Sequence, residues 1–259
     1  MSGLIELSKK VLENNELLDI KEDMFSNLSK LGEISDYLKK QKNRKRIFIL
    51  GMNPAEYDKK IKINQYKEYD GKHLEYVANI TPKNQKDIKH LTNVNYFKAH
   101  YDLFKDGSVQ MSWPIIKECQ NTISELHIDT NEKPEPKRTL LIFGDLIYYH
   151  HTNQKDIEKI IDEKKNNNKD DLYSIVKSIL EEHITMFDPN LILVTNSYVS
   201  KLLWEVYCNN KGYNDDVIKI KTKNNKEKTI LLSGMVSGQR AMDVFSKVRL
   251  KNRIKGLLE

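Results

Sequence analysis

Three short apolar runs punctuate the chain: IFILG at 47–51, TLLIFG at 139–144 and LILVT at 191–195. Runs this short and unbroken fit strands buried on both faces. Between the second and third, Leu172, Ile175, Val176, Ile179 and Leu180 recur at helical spacing, which predicts a helix over 172–186 behind a polar break at 166–171. Another helix follows LILVT and runs through Trp204. Residues 217–222 and 229–234 alternate around the turn NNKE, predicting a hairpin or two edge strands. A closing helix is expected from Gln239 to Leu258.

At the other end, Leu4, Leu7, Val11 and Leu12, then Phe25, Leu28, Leu31 and Leu38, predict two helices within 3–42. Residues 52–74 are polar without a clear period and read as a long loop, a feature more often functional than not. A short strand is expected at 75–81, and Asn93 to Phe104 opens a helix. Short apolar strands separated by helices give an α/β fold: three layers, α/β/α, around a central and mostly parallel sheet. The expected organisation is an N-terminal helical extension, residues 1–44, packed on a domain spanning 45–259.

In such sheets ligands bind outside the carboxyl ends of the strands. Those ends read Gly51-Met52-Asn53-Pro54, Phe143-Gly144-Asp145, Thr195-Asn196-Ser197 and Ser233-Gly234-Met235-Val236-Ser237-Gly238. Glycine there lets backbone approach a ligand closely. Composition adds less. Lys and Arg exceed Asp and Glu by 43 to 37, a modest positive balance that suits phosphate without requiring it. The basic run 39–46, KKQKNRKR, reads equally as a phosphate contact or a solvated linker. The two cysteines, Cys119 and Cys208, offer no disulfide framework, and no apolar run approaches the roughly 18 residues of a membrane span. The first 20 residues lack the apolar stretch of a secretory signal, so the expected location is cytoplasmic.

The strand followed by GMNPA at 47–55 resembles the first motif of the uracil-DNA glycosylase superfamily, closest to the G-[MI]-N-P of its single-strand-selective and mismatch-specific branches. LLIFGDLIYYHHTNQ at 140–154 resembles the strand that in this family carries a base-reading Asn. DPNLILVTNSYVSKLL at 188–203 resembles its penultimate strand and the following helix. ILLSGMVSGQRAMDVFSKVRL at 230–250 stands where the family has a His-Pro-Ser strand end and a minor-groove loop. The order of these parts matches over most of residues 45–258. Two departures matter: Phe143 or Gly144 replaces the base-reading Asn, and the family His is missing.

The resemblance implies a monofunctional DNA glycosylase that flips a nucleotide out of the stack and hydrolyses its glycosidic bond. Asn53 would orient the water. Asp145 would face the base, or else cap the following helix. Gly51, Met52, Pro54, Phe143, Gly144 and Asn196 would form the base pocket, with Asn196 or Ser197 alternatively capping a helix. Ser233, Met235, Val236, Ser237, Gln239 and Arg240 would contact DNA, Met235 and Val236 as an apolar wedge. Without the amide and the His, the expected base is a modified pyrimidine rather than uracil, in keeping with a resemblance to anti-phage enzymes that remove hypermodified cytosines. The expected partner is DNA, single- or double-stranded, met by a monomer with no cofactor, no metal and no membrane.

Asn95, Tyr96, Phe97 and Tyr101 are candidates for base stacking or for core, and Glu56 and Asp58 are reserves for water activation. His150 and His151 read as loop or helix-start residues within reach of phosphate; adjacent histidines are poorly spaced as ligands on one helix face. Two other functions fit the same pattern. One is an enzyme acting on a free nucleotide or nucleoside, although the sequence has neither GxxxxGK[ST] nor a GxGxxG after a strand. The other is a DNA-binding module of the same fold without catalysis.

Overall fold

A computed structural model describes residues 2–22, 25, 45–53, 109–111, 139–149, 151, 153–208, 215–236 and 242–259. Six strands form one sheet: β1 (Arg46–Gly51), β2 (Val109–Met111), β3 (Thr139–Asp145), β4 (Leu191–Val194), β5 (Val217–Lys221) and β6 (Glu227–Leu232), in the order β2-β3-β1-β4-β6-β5. All neighbours are parallel except the β5–β6 pair at one edge. The chain is therefore an α/β protein with a mostly parallel sheet, as its pattern of apolar runs predicts.

The three runs lie side by side in the middle of the sheet. Ile47 pairs with Leu141 on one side and Leu191 on the other. Consecutive side chains of a strand point to opposite faces, yet Ile47, Phe48, Ile49 and Leu50 are all fully buried, as are Leu191 to Val194. Both faces of the sheet centre are thus covered. Burial of such side chains stabilises a fold by about 1.5–3 kcal/mol each before chain entropy opposes it.

Among the described residues five helices accompany the strands: α1 (Ser2–Leu12), α2 (Gln154–Asn167), α3 (Lys169–Phe187), α4 (Ser197–Cys208) and α5 (Val244–Leu258). The polar break expected at 166–171 shrinks to one residue. Asn168 ends α2, and its side chain accepts from the Asp171 N–H to start α3. The connection β3-α2-α3-β4 joins parallel strands, so a right-handed crossover places α2 and α3 on one face, and α4, which leads into the β5–β6 hairpin, packs on α3. Phe48 packs there, tilted, against His183 and Phe187 of α3, with ring centroids 4.8 and 5.2 Å apart.

α1 shares this core through Leu4, Val11 and Leu12, and it packs on α2 and α3. Its Ser8 hydroxyl accepts from the Tyr148 N–H at 3.0 Å and donates to the Leu4 carbonyl. Phe25 meets Tyr149 edge to face at 5.0 Å. The N-terminal segment therefore braces the loop that leaves β3. The second N-terminal helix, the strand at 75–81, the helix from Asn93 and most of the loop 52–74 lie outside the described residues.

Two expectations are corrected. The closing helix begins at Val244 rather than Gln239, because the Asp243 carboxylate accepts from the Ser246 N–H and caps it there. The three-residue β2 was not expected; it adds to the outer side of β3. The hairpin at 217–234 is present, and Asn225 takes the left-handed conformation at its turn with φ 57°. Among the described residues no helix is long and apolar enough to cross a membrane.

Candidate functional site

The carboxyl ends of β1, β3, β4 and β6 open on the same edge of the sheet, because these four strands are parallel. Gly51 stands in register with Asp145. Beyond the strands the two segments stay paired: the Leu146 N–H donates to the Gly51 carbonyl at 3.1 Å and the Ile147 N–H to the Met52 carbonyl at 2.8 Å. The Thr195 N–H donates to the Leu50 carbonyl from the other side. Residues 51–53, 145–149, 151 and 195–196 thus share one rim. β6 lies two strands from β1, about 10 Å at ordinary strand spacing.

Asn53 is buried in this rim. Its side-chain amide donates to the His151 carbonyl at 2.9 Å and the Tyr149 carbonyl at 3.4 Å. Both belong to the loop leaving β3, so Asn53 ties the ends of two strands together. Met52 is fully buried beside it.

Asp145 differs from its surroundings. It ends β3, and α2 begins only at Gln154 with Asn153 as its cap, so Asp145 caps no helix. Among the described residues no hydrogen bond or ion pair holds its carboxylate. The side chain keeps part of its surface open while protein crowds the rest. Burial raises its pKa from the usual carboxylate range to about 7. Strand alternation puts Asp145 and Phe143 on the face opposite Gly144.

Gly144 has a packing reason to be glycine. A Cβ there would lie 2.8 Å from the Tyr148 hydroxyl and 2.9 Å from the Phe48 ring. Those groups belong to a buried network in which the Tyr148 hydroxyl meets His183 Nε2 at 2.8 Å. Burial lowers the His183 pKa to about 3, keeping the ring neutral, while the Ile179 carbonyl opposes that shift without making a full hydrogen bond. Burial, with the nearby Asp145 charge, pushes the Tyr148 pKa up. A neutral ring and an un-ionised phenol under Gly144 make a rigid floor rather than reacting groups. Phe143 is also buried, so neither residue opens the base pocket expected from the sequence.

Asn196 serves α4: its side-chain carbonyl accepts from the Val199 N–H at 3.0 Å, and its amide lies 3.4 Å from Gln154 Oε1. Of the two capping candidates it is Asn196, not Ser197, that takes the role. Ser233 is bracketed by Ser200, whose hydroxyl donates to the Ser233 carbonyl at 2.8 Å. The expected apolar wedge is not formed as foreseen. Val236 is 1% exposed and joins the core, and the Met242 N–H donates to the Met235 carbonyl, closing the loop at its base. Pro54, Ser237, Gln239 and Arg240, with Glu56, Asp58, Asn95, Tyr96, Phe97, Tyr101 and His150, lie outside the described residues.

One pair at the rim was not singled out in the sequence. His151 Nε2 lies 3.1 Å from Asp156 Oδ2, and the Asn153 amide donates to the same oxygen at 2.9 Å. The His151 hydrogen bond is the chief cause that lowers the Asp156 pKa. The signal available was the run His151-Thr152-Asn153-Gln154-Lys155-Asp156, a cap residue followed three places on by an acid. Among the described residues no cluster of His, Cys, Asp and Glu could hold a metal ion. No protein-family model matches the sequence, and no curated protein matches it.

Proposed function

We propose that this chain is a DNA glycosylase that hydrolyses the glycosidic bond of a modified pyrimidine, with chemistry at the carboxyl edge of the sheet. The observation that carries the reading is the Asp145 carboxylate, part-open and without an ion-pair partner among the described residues, one strand from Asn53. A group left unpaired with a strongly raised pKa at a strand end is a functional candidate on physical grounds. The GMNP motif and the order of the strand ends supply the reaction class by resemblance.

In this reading Asn53 holds the rim in shape and lines the site. Asp145, ionised above neutral pH, accepts a proton from the attacking water or a hydrogen bond from an exocyclic amine of the base. Departure of the base leaves positive charge on the sugar, which a nearby carboxylate stabilises better than water does. Products are the free base and an abasic site; water supplies the oxygen on the sugar and the proton on the base. Cytoplasmic residence and action as a monomer belong to the same proposal, as does a role against DNA carrying hypermodified cytosine.

The test is a panel of single strands and duplexes carrying uracil, hydroxymethylcytosine or glucosylated hydroxymethylcytosine, scored for abasic sites. Release of a modified cytosine, lost in Asn53→Ala and Asp145→Asn, is the expected result. Release of uracil alone would remove the modified-base reading, and no release from any substrate would remove the glycosylase.

A further inference from the structure

Four large hydrophobic side chains are exposed among the described residues, and three lie on one stretch of α5: Val244 at 73%, Phe245 at 75% and Val248 at 53%. The opposite face of α5 is anchored through Leu250 and Ile254, so the helix is packed with this stripe outward. α5 follows the loop leaving the carboxyl end of β6. The Met242 N–H donates to the Met235 carbonyl, three residues beyond β6, so the first turn of α5 starts close to the edge that carries Asn53 and Asp145.

Arg249 follows Phe245 at the i,i+4 spacing, which puts the two side chains side by side. The guanidinium is steered: Arg249 Nη2 donates to Ser246 Oγ at 3.0 Å, and the Ser246 hydroxyl donates to Asp243 Oδ2 at 2.6 Å. Among the described residues Arg249 makes one bond, to Ser246, which leaves most of its five guanidinium donors for another acceptor. Two neighbours are ruled out as phosphate contacts. The N-terminal amides of α5 face the Asp243 carboxylate, which repels an anion. Arg253 is paired with Asp215 and Asp216.

We infer that the first two turns of α5 bind single-stranded nucleic acid, with an unstacked base on the Phe245 ring, flanked by Val244 and Val248, and a neighbouring phosphate on Arg249. Bases inside a duplex cover one another, so an exposed phenyl has a base face to meet only where the strand is open. An aromatic platform beside a fixed cation is the arrangement that recognises single strands without reading sequence. Three apolar residues at one end of a helix whose other face is packed on protein make a poor anchor for a lipid surface. The inference deepens the proposed function by naming its substrate form, and it rests on nucleic acid being the ligand of this edge.

The experiment uses the full chain and a fluorescent 15-mer oligothymidylate, read by anisotropy, alongside a duplex of the same length and vesicles containing phosphatidylglycerol. Phe245→Ala should weaken single-strand binding about 5- to 150-fold, the range of one lost base stack, while Phe245→Tyr retains it. Arg249→Gln should weaken binding and reduce its salt dependence by about one phosphate contact. At 75% exposure Phe245 contributes little to folding, and unchanged thermal melting of the variant checks this. Equal binding by wild type and Phe245→Ala would overturn the inference. So would binding to vesicles but not to oligothymidylate, or self-association that Phe245→Ala abolishes. Base release is scored separately: Phe245-dependent binding without release keeps the surface and removes the glycosylase, and release with binding indifferent to Phe245 does the reverse.

Discussion

The two edges of the same sheet are built to opposite rules. At the amino edge the buried charged groups, Arg46 and Lys228, are matched. Arg46 Nη1 donates to the Phe187 carbonyl at 2.8 Å, and Asn190 clamps the Arg46 backbone from both sides. Lys228 Nζ reaches Asp188 Oδ1 and the Pro189 carbonyl, each at 2.8 Å. Burial works to raise the Asp188 pKa, but the Lys228 hydrogen bond and charge, with Lys226 and Arg46, bring it below the usual range. At the carboxyl edge the part-buried Asp145 has no such partner among the described residues, and its pKa moves the other way. Cations that complete a fold are present at one edge. A carboxylate that destabilises the fold at neutral pH is kept at the other. That asymmetry points to work at the carboxyl edge.

The largest expected effect comes from removing the exception. Asp145→Asn should lower base release by about 100-fold or more, the scale of a lost acid–base group. It should also stabilise the protein. A carboxyl whose pKa rises on folding contributes stability that is complete below about pH 4 and lost as pH climbs through 7. The shift from 3.8 to about 7 sets a ceiling near 4 kcal/mol. Solvent reaching a part-open side chain reduces that to about 1–3 kcal/mol. Urea denaturation at pH 8 measures the gain, and abasic-site formation measures the loss; a variant that loses both activity and stability would break the comparison.

Gly144→Ala sharpens it on the α3 face of the same edge. The added methyl meets the Tyr148 hydroxyl and the Phe48 ring at under 3 Å. Overpacking there should cost about 1–3 kcal/mol by chemical denaturation. At the amino edge Lys228→Ala should cost about 1.5–3 kcal/mol, the range for a lost charged hydrogen bond, with base release per folded molecule unchanged. The smallest effect is expected from Arg253→Ala, which removes an exposed pair with Asp215 and Asp216 and should shift stability by less than about 1 kcal/mol.

Much of this frame was legible in the sequence because it rests on local pattern. Ile47 to Leu50 and Leu191 to Val194 are continuous apolar runs, and a strand buried on both faces needs nothing else to be recognised. Glycine at 144 was legible as a site of close approach, but what approaches it is Phe48 and Tyr148, not a ligand. Side chains far apart in sequence decide that. Val236 was misplaced for a related reason. Set among glycine and serine it reads as a loop tip, whereas the Met242 to Met235 hydrogen bond folds it inward. The start of α5 turned on local chemistry that was available, an acid at Asp243 followed three places later by Ser246. That Asp145 has no partner among the described residues could not be read at all, since it is a property of the packed fold.

The most direct test of the account is a titration of the Asp145 carboxyl by carbon-detected NMR, its resonance assigned by loss in Asp145→Asn. The account predicts a midpoint near pH 7 that shifts when a substrate strand binds. A midpoint near 4, unmoved by substrate, would contradict it.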